Sequence, residues 1–329
     1  MNIVVCYPVE PSHVAQIEAA AAGHTVHISS QERIAEDIFA ADIFLGHARV
    51  PMPWDAVVAA GRLRWIQSSA AGLDHCLAPS VVACPTIRVS GASGLFADQV
   101  AEQTTALLLG LVRSLPTFFR AQQRREFIRR PTGDLHGKTV GIVGFGGNGR
   151  RLAEVLAPYR VRLLATDVFP VDKPEIVDSL WPAERLEDLL RESDAVVLCV
   201  PLVETTRGMI GSRQFDQVRP GSLLINVARG PVVVETDLVA ALESGRLGGA
   251  GLDVTEVEPL PAASPLWDHP RVIITPHVGA QSARRLDDTT NRVCENLRRY
   301  LVGAPLMDEI DKRLGFAARQ GRAAATAAG

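Results

Sequence analysis

The sequence predicts two α/β domains, each built on a doubly wound parallel sheet with helices on both faces. Its length of 329 residues corresponds to two domains at about 150 residues each. Short β-branched segments alternate with helix-like segments, which is the pattern of repeated βαβ units. A glycine-rich turn between an apolar strand and a helix begins a second series of these units near residue 139.

The first half of the chain contains five predicted strands and one long predicted helix. From Phe96 to Phe127 apolar residues recur at three- and four-residue spacing, as in an amphipathic helix. Pro116 lies inside this segment and should kink or divide it. We expect this helical segment to connect the domains. The strands are NIVVCY (2–7), TVHIS (25–29), DIFLGH (42–47), RWIQSSA (64–70) and TIRVS (86–90).

The second half repeats the alternation with six predicted strands and ends in a helical pattern. That pattern covers about residues 280–302, and the alanine-rich tail at 315–329 should fray. The strands are TVGIV (139–143), VRLLATD (161–167), AVVLCVP (195–201), SLLINVA (222–228), GGAGLDV (248–254) and RVIITPH (271–277).

The composition is that of an ordinary globular protein, with 47% hydrophobic and 22% charged residues. The 34 basic and 37 acidic side chains give a net charge of −3, so we expect neither nucleic acid nor a membrane as a partner. The five cysteines are scattered and never in Cys-x-x-Cys spacing, which favours a reduced compartment and no metal site. The N-terminus lacks a signal-peptide pattern. We therefore expect a cytoplasmic protein.

A dinucleotide-binding turn is predicted at Gly144-Phe-Gly146-Gly147-Asn148-Gly149, which follows an apolar strand and precedes a helix. Glycines there allow a tight turn, and the helix N-terminus faces a pyrophosphate. Alone, the motif could be an ordinary glycine-rich turn. Asp167 ends the next strand, 18 residues after Gly149, where its carboxylate would accept hydrogen bonds from the ribose hydroxyls of NAD. A turn or N-cap aspartate is the alternative. Together these features favour a Rossmann domain that binds NAD.

A shared site is predicted at the carboxyl ends of three strands in this second half. Arg229 follows SLLINVA, Glu258 lies in DVTEVEP after the next strand, and His277 ends RVIITPH. A lone histidine at a strand end is usually a hydrogen-bonded surface residue. Ligands of open α/β sheets bind at the carboxyl ends of the strands, so one site explains all three residues.

These motifs resemble the D-isomer-specific 2-hydroxyacid dehydrogenase family over nearly the whole chain. The resemblance is strongest in VGIVGFGGNGRRLAE, LLINVARGPVVVETDLVAAL and SPLWDHPRVIITPHVG, and extends to SSAAGLDH (68–75) and ADQVAEQTTALLLGLVR (97–113). It implies a Rossmann NAD-binding domain at 109–283 and a discontinuous flavodoxin-like substrate domain at 1–108 and 284–329. It also implies a homodimer that interconverts a small 2-oxo acid and its D-2-hydroxy acid with NAD.

The resemblance also assigns residues to roles. It makes Arg229 the substrate-binding arginine, His277 the acid/base and Glu258 the carboxylate that favours the imidazolium form of His277. The backbone of Ala71, Gly72 and Leu73 would receive the substrate carboxylate. The positions that match the family's cofactor site are Phe145, Gly146, Gly147, Asn148, Gly149, Asp167, Val200, Pro201, Thr206, Val227, Ala228, Arg229, Asp253, His277 and Gly279.

Two departures from the family pattern bear on the substrate and the cofactor turn. His47 and Ala48 stand where phosphoglycerate-type members tend to have Arg-Ser, which favours an unphosphorylated substrate such as glyoxylate or hydroxypyruvate. His47 is thus a candidate substrate residue, or else a hydrogen-bonded strand residue. Asn148 is polar where many members are aliphatic, a change that backbone contacts should survive.

Alternative functions within the family remain open from the sequence. They are an NAD-sensing, corepressor-like interaction protein, a phosphoglycerate dehydrogenase and a phosphite dehydrogenase. Formate dehydrogenases usually have glutamine at the position of Glu258.

Overall fold

The computed structural model describes residues 1–317, which form two compact units. The first unit comprises Met1–Leu95 together with the C-terminal segment from Ser282, and the second comprises Phe96–Gln281. Each unit contains one parallel sheet. The predicted fold class, two α/β domains with parallel sheets, is therefore confirmed.

Twelve strands and eleven α-helices make up the described part of the chain. The strands are β1 (Asn2–Cys6), β2 (Thr25–Ile28), β3 (Ile43–Gly46), β4 (Trp65–Ser68), β5 (Arg88–Ser90), β6 (Thr139–Val143), β7 (Arg162–Asp167), β8 (Ser179–Pro182), β9 (Ala195–Leu198), β10 (Ser222–Asn226), β11 (Leu247–Leu252) and β12 (Val272–Ile274). The helices are α1 (Pro11–Ala20), α2 (Ile34–Asp37), α3 (Trp54–Ala60), α4 (Pro79–Ala83), α5 (Ala97–Val112), α6 (Leu115–Gln123), α7 (Gly147–Leu156), α8 (Leu186–Glu192), α9 (Ser212–Gln217), α10 (Glu235–Glu243) and α11 (Arg285–Leu301).

The sheet of the first unit has the order β2-β1-β3-β4-β5. Alternate residues of β1 point to opposite faces, so Val4 and Cys6 pack in one apolar cluster while Ile3 and Val5 pack in another. Leu297 of α11 lies in the same cluster as Ile3 and Val5. Helix α11 therefore covers one face of a sheet formed by the first 90 residues of the chain.

The sheet of the second unit has the order β12-β11-β10-β9-β6-β7-β8. The chain proceeds from β6 outward to β8 on one side, then returns to β9 on the other side of β6. This reversal forms a switch point at the carboxyl ends of β6 and β9, where doubly wound sheets bind dinucleotides. Ile142 and Val197 pack on one face and Val143 and Leu198 on the other, so both faces are covered.

The long helical segment is divided near Pro116, as predicted: Ser114 has φ +57° between α5 and α6, and Pro116 is the second residue of α6. Other element boundaries differ from the prediction. The strands before the predicted site end two or three residues early, because their last predicted residues lie beyond the parallel ladders. Strand β8 was not predicted; it is half-exposed and lacks β-branched residues. The tail predicted to fray, residues 315–329, lies outside the described residues except for 315–317, where Phe316 forms an isolated bridge with Asp311.

None of the helices within residues 1–317 is long and apolar enough to cross a membrane. All five cysteines lie in this part of the chain and are free thiols.

A buried polar network joins α11 to the sheet of the first unit. Gln67 Oε1 accepts hydrogen bonds from Ser90 Oγ and Asn296 Nδ2, both at 2.7 Å. Asn296 also donates to the Met307 carbonyl at 3.0 Å and accepts from the Met307 N–H at 2.8 Å. Since Gln67, Ser90 and Asn296 are fully buried, water cannot replace a lost partner.

We predict that Asn296→Ala lowers the free energy of unfolding by about 2–4 kcal/mol, because it removes a hydrogen bond from the buried amide oxygen of Gln67 and two from the partly buried backbone of Met307, and creates a cavity. Urea denaturation monitored by circular dichroism measures the change. Asn291→Ala on the exposed face of the same helix is the matched control and should cost less than about 1 kcal/mol. Equal losses in the two variants would contradict the role of the network.

Candidate active site

The carboxyl ends of β10, β11 and β12 bring together the predicted site residues of the second unit. Arg229 lies three residues after β10, Asp253 directly follows β11, and His277 lies three residues after β12. The β10–β11 and β11–β12 pairs are both parallel, so these strand ends lie at one edge of the sheet. Glu258 reaches the same place from the loop after β11.

His277 and Glu258 form a hydrogen-bonded pair. The distance between His277 Nδ1 and Glu258 Oε2 is 2.9 Å, and the side chains are 45% and 40% exposed. The imidazole Nε2 lies on the opposite side of the ring from Glu258. A partner on Nδ1 fixes the ring orientation and stabilises the charge that protonation creates. The pair can therefore present a proton at Nε2.

The ionisation of Glu258 reflects opposing influences. Burial raises the pKa of its carboxyl, but the hydrogen bond and charge of His277, the N–H of Thr255 and the charge of Arg229 together lower that pKa below its ordinary value. The influence of Arg229 shows that its guanidinium lies within electrostatic range of the pair. The structure thus brings Arg229, Glu258 and His277 into one cluster.

The backbone around Arg229 is held by a buried asparagine at the end of β10. Asn226 Nδ2 donates to the Arg229 carbonyl at 3.1 Å, and Asn226 Oδ1 accepts from the Ala228 N–H at 3.0 Å. Arg229 Nη1 donates to the Ala228 carbonyl at 2.7 Å. Asn226 is 1% exposed, so this turn is stabilised from the core. No role was predicted for Asn226 from the sequence, although it lies three residues before Arg229.

Asp253 is buried and organises the turn that carries His277. Its Oδ1 accepts a hydrogen bond from the Val278 N–H at 3.0 Å and its Oδ2 from the Gly279 N–H at 2.8 Å. Its carbonyl accepts the His277 N–H at 2.8 Å. His277 has φ +54°, a left-handed conformation that a non-glycine residue adopts only when its surroundings enforce it.

The glycine turn after β6 has the shape that a pyrophosphate requires. A Cβ on Gly149 would lie 2.3 Å from the Gly144 carbonyl oxygen, so only glycine permits this close approach of helix to turn. A Cβ on Gly146 would meet nothing within 4 Å, and Gly146 precedes α7 without a side-chain cap. Open space therefore borders the N-terminus of α7, where backbone N–H groups favour an anion. These residues fit a dinucleotide.

Asp167, at the end of β7, is already hydrogen-bonded to this turn. Its Oδ2 accepts from the Phe145 N–H and its Oδ1 from the Phe169 N–H, both at 2.8 Å. Each carboxylate oxygen has further acceptor capacity, so ribose hydroxyls could still bind. Arg150 lies 4.8 Å from the centre of the Phe145 ring and donates to the carbonyls of Val171 and Asp172.

The other cofactor positions predicted in this unit lie in the loops after β9, β10 and β12. Thr206 Oγ1 donates to the Pro201 carbonyl at 2.7 Å and accepts from the Val203 N–H at 2.9 Å, which stabilises the loop after β9. The remaining positions that follow these strands are Val200, Val227, Ala228 and Gly279.

The predicted substrate residues of the first unit follow two neighbouring strands. His47 follows β3, and Ala71–Leu73 follow β4. The His47 ring stacks on His75, with ring centres 3.9 Å apart and an interplanar angle of 11°. The His47 carbonyl accepts a hydrogen bond from Gln31 at 3.0 Å. His75 was not singled out from the sequence, because its contact with His47 joins distant segments.

Comparisons with known proteins identify relatives along the chain. Residues 105–279 match the family described as D-isomer specific 2-hydroxyacid dehydrogenase, NAD binding domain. Glycerate dehydrogenase of Methylorubrum extorquens is 31% identical over 284 residues, which cover 83% of this chain and 87% of that protein. Glyoxylate/hydroxypyruvate reductase A of Photorhabdus laumondii is 33% identical over 218 residues, or 66% of this chain and 69% of that protein.

A solved structure extends this similarity to the fold. The crystal structure of a D-isomer specific 2-hydroxyacid dehydrogenase from Xanthobacter autotrophicus Py2, in complex with NADPH and MES, matches with a TM-score of 0.80 and 29% identity. The match covers 95% of this chain and 99% of that one.

We predict that Glu258→Gln lowers the free energy of unfolding at pH 7 by at most about 1 kcal/mol, because the pair with His277 is partly exposed. The folded-state pKa of Glu258 is below its ordinary value, so its contribution is complete above that ordinary value and is lost as the pH falls through the lowered one. Urea denaturation of both proteins between pH 7 and pH 3 measures this. A difference that grows as the pH falls from 5 to 3 would contradict the assignment.

Proposed function

Since the chain belongs to the D-isomer-specific 2-hydroxyacid dehydrogenase family, we propose that it reduces a small 2-oxo acid to the D-2-hydroxy acid with a nicotinamide cofactor. The observation that carries this proposal is the hydrogen bond between His277 and Glu258 within electrostatic range of Arg229. A proton donor, a charged partner that stabilises it and a guanidinium are the groups that carbonyl reduction needs from a protein.

Arg229 binds and polarises the 2-oxo acid in this proposal. A planar guanidinium donates two parallel hydrogen bonds, so it can hold a carboxylate oxygen and the neighbouring carbonyl oxygen together. Its positive charge then stabilises the negative charge that develops on the carbonyl oxygen during reduction. The hydrogen bonds from Asn226 to the backbone around Arg229 keep this residue in place before the substrate binds.

His277 supplies the proton in the same step. Its Nε2 donates the proton to the carbonyl oxygen, while Glu258 on Nδ1 holds the ring and compensates the imidazolium charge. In the reverse direction neutral Nε2 accepts the proton of the hydroxy acid. The nicotinamide, when bound, supplies or accepts the hydride at the substrate carbon.

The cofactor would be held by the glycine turn and by Asp167. Backbone N–H groups at the start of α7 would bind the pyrophosphate, and the Asp167 carboxylate would accept the ribose hydroxyls. We propose NAD(H) rather than NADP(H), because a 2′-phosphate would lie against that carboxylate. The Xanthobacter protein binds NADPH, so cofactor preference in this chain must be established by its own residues.

We propose glyoxylate or hydroxypyruvate as the substrate. The glycerate dehydrogenase and glyoxylate/hydroxypyruvate reductase relatives support small unphosphorylated acids. The backbone N–H groups of Ala71, Gly72 and Leu73 would receive the substrate carboxylate. The imidazole of His47, stacked on His75, provides no fixed guanidinium for a phosphate.

We predict that the purified protein oxidises NADH in the presence of glyoxylate or hydroxypyruvate and acts more slowly on 3-phosphohydroxypyruvate. His277→Ala should lower kcat at least about a hundredfold, the loss expected for a positioned general acid, while NADH affinity changes little. His136→Ala removes an exposed histidine of the same unit and is the control. Absorbance at 340 nm measures the rates. Unchanged turnover in His277→Ala would remove this residue from the mechanism.

We predict a preference for NADH over NADPH of at least about tenfold in kcat/KM. Two unit charges 4 Å apart repel by about 4 kcal/mol at an effective dielectric constant of 20, and half of that exceeds a tenfold discrimination. Asp167→Asn keeps the size of the side chain but removes its charge, so it should reduce the preference. Equal use of both cofactors by the wild type, or an unchanged ratio in the variant, would contradict selection by Asp167.

A further inference from the structure

A chain of side-chain hydrogen bonds runs from helix α5 to the buried carboxylate of Asp253. Gln103 Nε2 donates to Thr275 Oγ1 at 2.8 Å, and Thr275 Oγ1 donates to Asp253 Oδ1 at 2.7 Å. All three residues belong to the second unit. Gln103 lies in α5, far from His277 in sequence, and no role was predicted for it.

The donor and acceptor in each of these hydrogen bonds follow from the chemistry of the threonine hydroxyl and the aspartate carboxylate. A threonine hydroxyl has one proton, and an ionised carboxylate can only accept. If Thr275 donates its one proton to Asp253, a hydrogen bond on its other side can only be one that the threonine oxygen accepts. The amide N–H of Gln103 donates that bond, whereas an acceptor in its place would compete with Asp253 for the threonine proton.

This series of hydrogen bonds ends at the turn that carries His277. Asp253 accepts hydrogen bonds from Thr275 and from the N–H groups of Val278 and Gly279, the two residues after His277. These bonds help to enforce the left-handed backbone of His277, with φ +54°. If the Thr275 hydroxyl turned away from Asp253, the carboxylate would lose one of the three hydrogen bonds that hold it in this orientation.

Two buried threonines of α5 bond differently from Gln103. Thr104 and Thr105 donate to the carbonyls of Val100 and Ala101, one turn earlier in the same helix. Gln103 is also less buried than either of them. Its bond to Thr275 therefore connects α5 to the segment after β12, which local helix stability does not require.

We propose that Gln103 is a positioning residue for His277, acting through Thr275 and Asp253. Its amide N–H orients the Thr275 hydroxyl toward Asp253, and Asp253 then holds the turn in which His277 presents Nε2. The catalytic part of this inference rests on the proposed function, since a proton donor works only when it is held close to the reacting atom. The structural part concerns the turn alone.

Two substitutions of Gln103 separate orientation from packing. Gln103→Met keeps the length of the side chain but donates nothing, so kcat should fall about tenfold while the KM of the 2-oxo acid changes less than threefold. In Gln103→Glu the ionised carboxylate competes with Asp253 for the hydrogen bond of the Thr275 hydroxyl. At pH 8 its kcat should therefore fall further below the wild-type value than that of Gln103→Met. Protonation, which the nearby Asp253 carboxylate favours, restores a donor, so the difference in kcat from Gln103→Met should diminish as the pH falls toward 5. Thr105→Val is the control on the same helix.

Amide hydrogen exchange tests the turn without reference to turnover. In Gln103→Met the exchange of the Val278 and Gly279 amides, measured by NMR, should accelerate about tenfold, and in Thr105→Val it should not. If exchange accelerates but no 2-oxo acid is reduced by the wild type, the proposed function fails while the structural part stands. A Gln103→Met variant with wild-type exchange rates and a kcat within twofold of the wild type would overturn the inference. An equal loss of kcat in Thr105→Val would also overturn it.

Discussion

The candidate site depends on the need to satisfy the buried carboxylate of Asp253. This group is 3% exposed, and an ionised carboxylate in such a place is tolerated only when donors surround it. The donors come from the segment after β12, and the Asp253 N–H bonds to the Asn226 carbonyl at the end of β10. One residue thereby connects the ends of three neighbouring strands. The positions of Arg229, Glu258 and His277 follow from that connection, since each lies in a segment that these bonds hold.

The cofactor side of the same sheet uses a similar arrangement. Asp167 bonds to two backbone N–H groups, one of them within the glycine turn, so its carboxylate shapes the turn as well as facing the proposed ribose position. The tight approach of Gly149 to Gly144 brings α7 against the switch point between β6 and β9. In the proposed cofactor site, single side chains at both ends would therefore combine a structural role with a binding role.

The sequence predicts the elements whose signals are local. Strands buried on both faces, such as the one ending at Val143, appear as continuous β-branched runs, and the motifs at Gly144 and His277 mark the ends of strands directly. The strand at Ser179–Pro182 has no such signal, because it lies at the edge of the sheet and is half-exposed. The bonds of Gln103 and the stacking of His75 join residues far apart in the chain. Such contacts become visible only when the fold brings the segments together.

The placement of α11 determines the order in which the two units can be completed during synthesis. The second unit is one continuous stretch, Phe96–Gln281, so a ribosome delivers all of its strands before translation ends. The first unit cannot be completed until α11 has been synthesised, because Leu297 packs in the same cluster as Ile3 and Asn296 donates a hydrogen bond to Gln67. Contacts over nearly the whole chain length form slowly and late. The nascent strands β1 to β5 thus expose an apolar face until α11 has been synthesised, which gives a chaperone time to bind them.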